Sequence, residues 1–198
     1  MSVDSVSAQG FAEQSLDVLR HVVESAREDV RRAAELIADC IRADGVIHAF
    51  GTGHSQAMVL EVAGRAGGLV PTNRLQMSDL VLYGGDAPSV LDDPLLEREP
   101  GVAVRLYDLA APRAQDLFVI ISNSGVNNVI VEMALHAKEQ GHRILAITSR
   151  THTAAVPAGH ESGKNSWTWR TWCWTTRLPS ATPCWRCPGA GRWGHYPR

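Results

Sequence analysis

The sequence has little that points to a membrane, to secretion or to nucleic acid. No basic-then-apolar leader opens it and no apolar run reaches the roughly eighteen residues of a membrane span, so it reads as cytoplasmic. Cysteine is scarce: Cys40 is the only one before the last quarter of the chain, and it reads as a small buried hydrophobe on a helix. No set of His, Cys, Asp or Glu has metal-ligand spacing, so no metal is expected. Cys184 and Cys187 have the spacing of half a zinc or redox site but lack a second pair. The nucleotide fingerprints are missing as well. There is no GxxxxGK[ST], Gly51-Thr52-Gly53 lacks the third glycine of GxGxxG, and no cofactor is expected. A basic excess is absent from residues 1–160, which hold 13 Lys and Arg against 20 Asp and Glu. A nucleic-acid partner would call for the opposite balance.

Two short polar loops carry most of the functional information. Phe50-Gly51-Thr52-Gly53-His54-Ser55 follows the apolar run Val46–Phe50, and Ile121-Ser122-Asn123-Ser124-Gly125 follows Leu117–Ile121. Each leads into a stretch of helical periodicity. Strand, polar turn and helix N-terminus together favour anions, because the first helical N–H groups lack intrahelical partners and the dipole attracts negative charge. Two such turns in one sheet predict a metabolite that carries a phosphate and several hydroxyls.

Around these loops the pattern predicts an α/β domain. Phe11, Leu16, Leu19, Val22 and Val23 form a helical stripe over 11–24, and a second helix covers 26–42 before Asp44-Gly45. Strand 46–50, the first loop and a helix over 54–65 follow, with Gly67-Gly68 as the stop. Leu80–Tyr83 reads as a short strand or as a loop near the site, and 84–101 as a substrate-proximal loop or short helix. A weak helix covers 102–110. Strand 117–121, helix 127–140 and strand 143–148 make a βαβ unit with short connections. Its strands lack alternation, as expected when helices cover both faces of a parallel sheet.

Gly51-Thr52-Gly53-His54-Ser55, Arg65-Ala66-Gly67-Gly68-Leu69, Val119–Gly125 with Glu132-Met133-Ala134, and Ala146-Ile147-Thr148-Ser149 resemble, in this order and spacing, the sugar isomerase (SIS) domain family. The likeness is nearest to members beside phosphoheptose isomerase and the N-acetylmuramic acid 6-phosphate etherases, and it covers about residues 10–164. It implies a three-layer sandwich, a parallel sheet flanked by helices and preceded by N-terminal helices. It also implies a homodimer or homotetramer, with a phosphorylated sugar or amino-sugar derivative as ligand. Carried over by position, Gly51, Thr52, Gly53 and Ser55 match the first ligand loop. Ser122, Asn123, Ser124 and Gly125 match the phosphate-gripping turn, and Thr148 and Ser149 match the exit of the next strand. His160, in the stretch before Lys164, matches a region near the ligand cleft.

Alternative roles stay open for several of these side chains. Ser55 serves either a ligand or its helix cap, and Asn123 either the turn or a sugar hydroxyl. Isomerisation or elimination on a phosphosugar needs a base that takes a proton α to a carbonyl. His54 is a candidate proton shuttle and Glu61 a candidate base, with a salt bridge as the plainer role for Glu61. Arg65 pairs with a phosphate or a carboxylate. Glu132 reads as structural or interfacial, and His152 sits in a polar loop with no evident partner. The function expected is therefore phosphosugar binding, as an aldose–ketose isomerase, as a sugar-phosphate lyase or etherase, or as a non-catalytic sensor.

The last quarter has a different character. All six tryptophans lie at or after Trp167, no Asp or Glu follows Glu161, and residues 161–198 hold 6 Lys and Arg against 1 acidic residue. Four tryptophans between Trp167 and Trp174 pack awkwardly, since each N–H needs a partner. Codons permitted for Asn165–Leu178 encode an amphipathic helix end and an apolar strand when read one frame over. That predicts a frameshift near Lys164–Trp167. The division expected is a flexible 1–10, an SIS domain over 11–164, and a disordered Trp/Arg/Pro-rich 165–198 that lacks the last strand and helix. Such a loss leaves strand 143–148 as a bare edge and the product unstable, which makes a non-functional truncated product a third alternative beside the enzyme and the sensor.

Overall fold

The computed structural model describes residues 7–157, 162–163 and 173–176. Helices α1 (Ala8–Ser25) and α2 (Arg27–Arg42) meet at buried Ala26. Ser7 starts α1 by accepting a hydrogen bond from the Gly10 N–H at 3.0 Å. The apolar stripe of α1 forms as expected but no residue of that helix is buried, and Phe11, Leu16, Leu19 and Val23 are each about half exposed.

The remaining elements alternate. Strand β1 (Ile47–Phe50), a 3-10 turn (Gly53–Ser55) and α3 (Gln56–Val62) precede β2 (Thr72–Leu75) and α4 (Asp79–Leu82). Two further 3-10 turns, Pro88–Asp92 and Leu96–Arg98, lead to α5 (Val102–Ala110). Strand β3 (Leu117–Ile121), α6 (Asn128–Glu139), β4 (Arg143–Ser149), α7 (Arg150–Ala155) and β5 (Cys173–Thr176) complete the order. The five strands among the described residues form one sheet, β2-β1-β3-β4-β5, and its four pairings are parallel.

Helices cover both faces, which is why β1 and β3 are buried at every residue. Strand geometry sends alternate side chains to opposite sides. Phe50, Phe118, Ile120, Ile144 and Ala146 pack with Leu80, Val102, Leu106, Ile130 and Met133 from α4, α5 and α6. Ile47, Ala49, Leu117, Val119, Ile121 and Leu145 pack with Ala33, Cys40 and Val59 from α2 and α3. Cys40 is fully buried, as its sequence setting predicts. Glu132 is structural: its carboxylate accepts from the Gly101 and Ala103 N–H groups at 2.6 and 3.0 Å and so fixes the start of α5.

Four local expectations need correction. Leu80–Tyr83 is not a strand; Leu80 and Leu82 belong to α4, whose Asp79 accepts from the Gln76 N–H at 3.0 Å. The second strand lies earlier, at Thr72–Leu75, where an edge position tolerates polar residues. The helix after the first loop ends at Val62, before Arg65. The polar stretch after Thr148 is α7, capped by the Ser149 hydroxyl. The expected bare edge of β4 is also not found: Cys173–Thr176 pairs with Ala146–Ser149. The proposed loss of a C-terminal helix, and Cys184 and Cys187, lie outside the described residues.

Candidate functional site

The strand order reverses at β1, which leads to β2 on one side while β3 lies on the other. In open parallel sheets ligands settle outside the carboxyl ends of the strands at such a reversal. A cavity of about 570 Å³ opens there. His54, Ser55, Ala57, Met58 and Glu61 line it from the first loop and α3. Ile121, Asn123, Ile147 and Thr148 line it from the exits of β3 and β4.

Gly51 sets the distance between the two loops. A Cβ built on it would lie 2.8 Å from the Ile121 carbonyl oxygen and 3.2 Å from both Ser55 Cβ and Val59 Cγ2. Only a residue without a side chain lets β1 leave the sheet this close to β3. Gly53 differs: it has φ +55° with open space around it, so conformation and not crowding selects glycine there.

The second loop is built on its own polar groups. Ser122 Oγ accepts from the Gly125 N–H at 3.0 Å, which closes the turn and leaves the hydroxyl proton free to donate. Ser124 is half-buried and has no hydrogen-bond partner among the described residues. The Asn123 carbonyl accepts from the Ser149 N–H at 3.1 Å and from Thr148 Oγ1 at 3.3 Å, so the exits of β3 and β4 are tied together. Ser149 Oγ accepts from the His152 N–H, and the His152 ring meets the Asn123 carboxamide at 2.9 Å. His152 therefore has a partner that its sequence position gave no hint of.

The structure thus gathers His54, Ser55, Glu61, Asn123 and Thr148 around one cavity. Ser55 makes no cap bond to α3, which leaves its hydroxyl to the cavity. Glu61 pairs with Arg65 at 3.2 Å, both exposed, so Arg65 is matched to a carboxylate. Gly51, Thr52, Gly53, Ser122, Ser124, Gly125 and Ser149 shape the surrounding loops and do not line the cavity itself. Buried Thr52 accepts from Asn127 Nδ2 at 3.4 Å. His160 lies outside the described residues. Among the described residues no group of three or more His, Cys, Asp or Glu has metal-binding geometry. No described helix is long and apolar enough to cross a membrane.

Two polar arrangements were not legible in the sequence. Glu97, from the long connection after α4, accepts from Asn127 Nδ2 at 2.7 Å and so brings a carboxylate beside the start of α6. At the other end of the strands, Asp116 is buried and accepts from the Val46 and Arg113 N–H groups, both at 2.8 Å. His48 Nε2 lies 3.1 Å from the same carboxylate, and its Nδ1 lies 3.2 Å from Asn73 Nδ2. Burial pushes the His48 imidazole below its ordinary value against the pull of Asp116. Burial would raise the Asp116 carboxyl, but the two N–H groups and His48 hold it below the usual carboxylate range. This network is far from the cavity along the strands and braces the sheet.

Comparison with known proteins agrees with this architecture. The model of a family described as SIS domain matches residues 10–149. A UPF0309 protein of Streptomyces coelicolor is 36% identical over 160 residues, 81% of this chain and 63% of the relative. A UPF0309 protein of Geobacillus thermodenitrificans is 36% identical over 146 residues, 74% of this chain and 57% of the relative. The chain therefore spans about three-fifths of the length of these relatives. Among solved structures, a phosphoheptose isomerase from Neisseria gonorrhoeae superposes with a TM-score of 0.60 at 23% identity, over 90% of this chain and 88% of the other. One from Francisella tularensis gives 0.61 at 14% identity, over 89% and 86%. At these identities the likeness is one of fold.

Proposed function

This chain belongs to the SIS domain family, and from that premise we propose that the cleft at the exits of β1, β3 and β4 binds a phosphorylated sugar or amino-sugar derivative. The observation that carries this reading is the convergence of two polar strand exits on one cavity of about 570 Å³, at the point where strand order reverses. The phosphate belongs at the Ser122–Gly125 turn, where Ser124 and the Ser122 hydroxyl proton are available as donors. A dianion is held best by several oriented donors of this kind. The sugar then extends toward Ser55, His54 and Glu61. Calorimetry with hexose, heptose and N-acetylamino-sugar phosphates tests this. Phosphosugars should bind at least about tenfold more tightly than the free sugars, and Ser124→Ala should lose about tenfold, the scale of one charge-assisted hydrogen bond. Equal affinity for phosphorylated and bare sugars rejects the reading.

On the catalytic form of this proposal, Glu61 or His54 removes a proton α to the sugar carbonyl. Return of a proton to the neighbouring carbon gives isomerisation, and loss of a β substituent gives elimination. The fold shared with phosphoheptose isomerases favours the first. One observation favours the sensor reading instead: the His54 ring makes no hydrogen bond among the described residues, so no second group orients it as a base. Catalytic bases are usually oriented by a second group. Turnover that is lost in His54→Ala or Glu61→Ala supports the enzyme, and tight binding without turnover supports the sensor.

Three further parts of the proposal are independent of the chemistry. The exposed apolar stripe of α1 is covered by a second copy of the chain in a dimer or tetramer. The acidic balance of residues 1–160 disfavours nucleic acid as a partner. The domain runs over 11–164, and the change of composition after Glu161 reflects a change of reading frame near Lys164–Trp167, which resequencing of the coding DNA tests directly.

A further inference from the structure

Asn123 and His152 form a pair that the binding reading leaves unused. Asn123 is exposed and lines the cavity, yet its carboxamide nitrogen lies 2.9 Å from His152 Nδ1. The Asn123 backbone carbonyl is already taken twice, by the Ser149 N–H and by Thr148 Oγ1. His152 is itself held, through its N–H to Ser149 Oγ at 3.2 Å and by its place in α7. Contact through Nδ1 as acceptor requires the imidazole to carry its proton on Nε2. The amide then has one polar atom without a protein partner among the described residues, Oδ1, and that atom is an acceptor. An acceptor repels phosphate oxygen and suits a hydroxyl.

We propose that His152 is a positioning residue that fixes the Asn123 carboxamide with its oxygen toward the cleft, and that this oxygen reads a sugar hydroxyl while phosphate is held elsewhere on the turn. This assignment rests on the phosphosugar reading and divides that site into two ends. The hydroxyl end lies at Asn123 and the phosphate end at Ser122 and Ser124. His152 exerts no direct contact of its own; it determines selectivity by preventing the amide from turning over. Loss of His152 lets either end of the amide face the ligand, which costs part of the hydroxyl recognition and none of the phosphate recognition.

The test compares N-acetylglucosamine 6-phosphate, glucose 6-phosphate and inorganic phosphate by calorimetry, in wild type and in His152→Phe, Asn123→Ala and the double variant. One lost hydrogen bond predicts about fivefold to tenfold weaker sugar phosphate binding in Asn123→Ala, and release of the amide a smaller loss of about twofold to fivefold in His152→Phe, with inorganic phosphate unchanged within about twofold. Because His152 works through Asn123, the double variant should lose no more than Asn123→Ala alone. His152→Gln, whose side-chain oxygen can accept from the same amide, should recover most of the loss. Additive losses, or an equal loss of inorganic phosphate, overturn the positioning role, as does wild-type affinity in His152→Phe. If wild type binds no phosphosugar, the functional reading fails. Long-range ¹H–¹⁵N spectra of the free protein still judge the pair on its own. Nδ1 unprotonated and shifted by Asn123→Ala supports it, and a proton on Nδ1 refutes it.

Discussion

The two glycines of the first loop are required for different physical reasons, and substitutions can separate them. At Gly51 a methyl group would sit 2.8 Å from a backbone oxygen of β3 and 3.2 Å from two further carbons, a distance that neither strand can yield without moving. Overpacking of this kind costs about 1–3 kcal/mol, and here the strain acts on the β1–β3 spacing. At Gly53 nothing lies within 4 Å of an added methyl, but φ is +55°. Alanine there costs about 1–2 kcal/mol through the left-handed conformation alone. Asparagine tolerates that conformation, so Gly53→Asn should recover most of the loss, whereas Gly51→Asn should be worse than Gly51→Ala. Urea titration followed by circular dichroism reads these differences as shifts of midpoint at constant slope. In addition, Gly51→Ala should widen the cleft and weaken phosphosugar binding, and Gly53→Asn should not. A Gly51→Ala protein within about 0.5 kcal/mol of wild type, the range of an ordinary surface change, refutes the close-approach argument. So does a Gly53→Asn protein as unstable as Gly53→Ala.

Three other outcomes follow from the packing away from the cleft. Asp116→Ala leaves two backbone N–H groups and His48 without their buried acceptor, and should destabilise by about 3–5 kcal/mol. A loss below about 1 kcal/mol in the same urea titration would show that the network does not brace the sheet. Folding depresses the protonation of both His48 and Asp116, so stability is fully present above the ordinary imidazole value of about 6.5 and declines as pH falls through that value, with the Asp116 share lost at lower pH. Melting temperatures measured down the pH scale check this, and His48→Gln should remove the first step and keep the second; a profile flat to pH 5 contradicts it. Glu132→Ala frees the first N–H groups of α5 and should cost about 1–2 kcal/mol, the range of a lost helix cap, with Glu132→Gln intermediate.

The strands and helix around the second loop were legible because their signal is local. Leu117–Ile121 is an unbroken apolar run between polar turns, and Val129, Ile130, Met133, Ala134 and Ala137 recur at helical spacing; both elements form where the sequence puts them. The loops at their ends were legible for the same reason, as small polar residues set between strand and helix. What escaped depends on neighbours distant in sequence. Thr72–Leu75 has no apolar pattern and becomes a strand only because β1 offers it an edge. α4 is a single turn, stabilised by buried Leu80 against the α5–α6 face more than by its own propensity. His48 looks out of place in an apolar strand until Asp116, 68 residues later, supplies its partner. His152 gains its meaning from Asn123, 29 residues earlier. Cys173–Thr176 pairs with β4 although the tryptophans around it gave no sign of a usable strand.

A crystal structure of the protein soaked with an N-acetylhexosamine 6-phosphate tests the central claim most directly. The account predicts phosphate oxygens within hydrogen-bond distance of Ser124 and the Ser122 hydroxyl, with the sugar ring in the cavity between Ser55 and Asn123. Ligand bound at some other part of the surface, or a phosphate seated away from the Ser122–Gly125 turn, would contradict it.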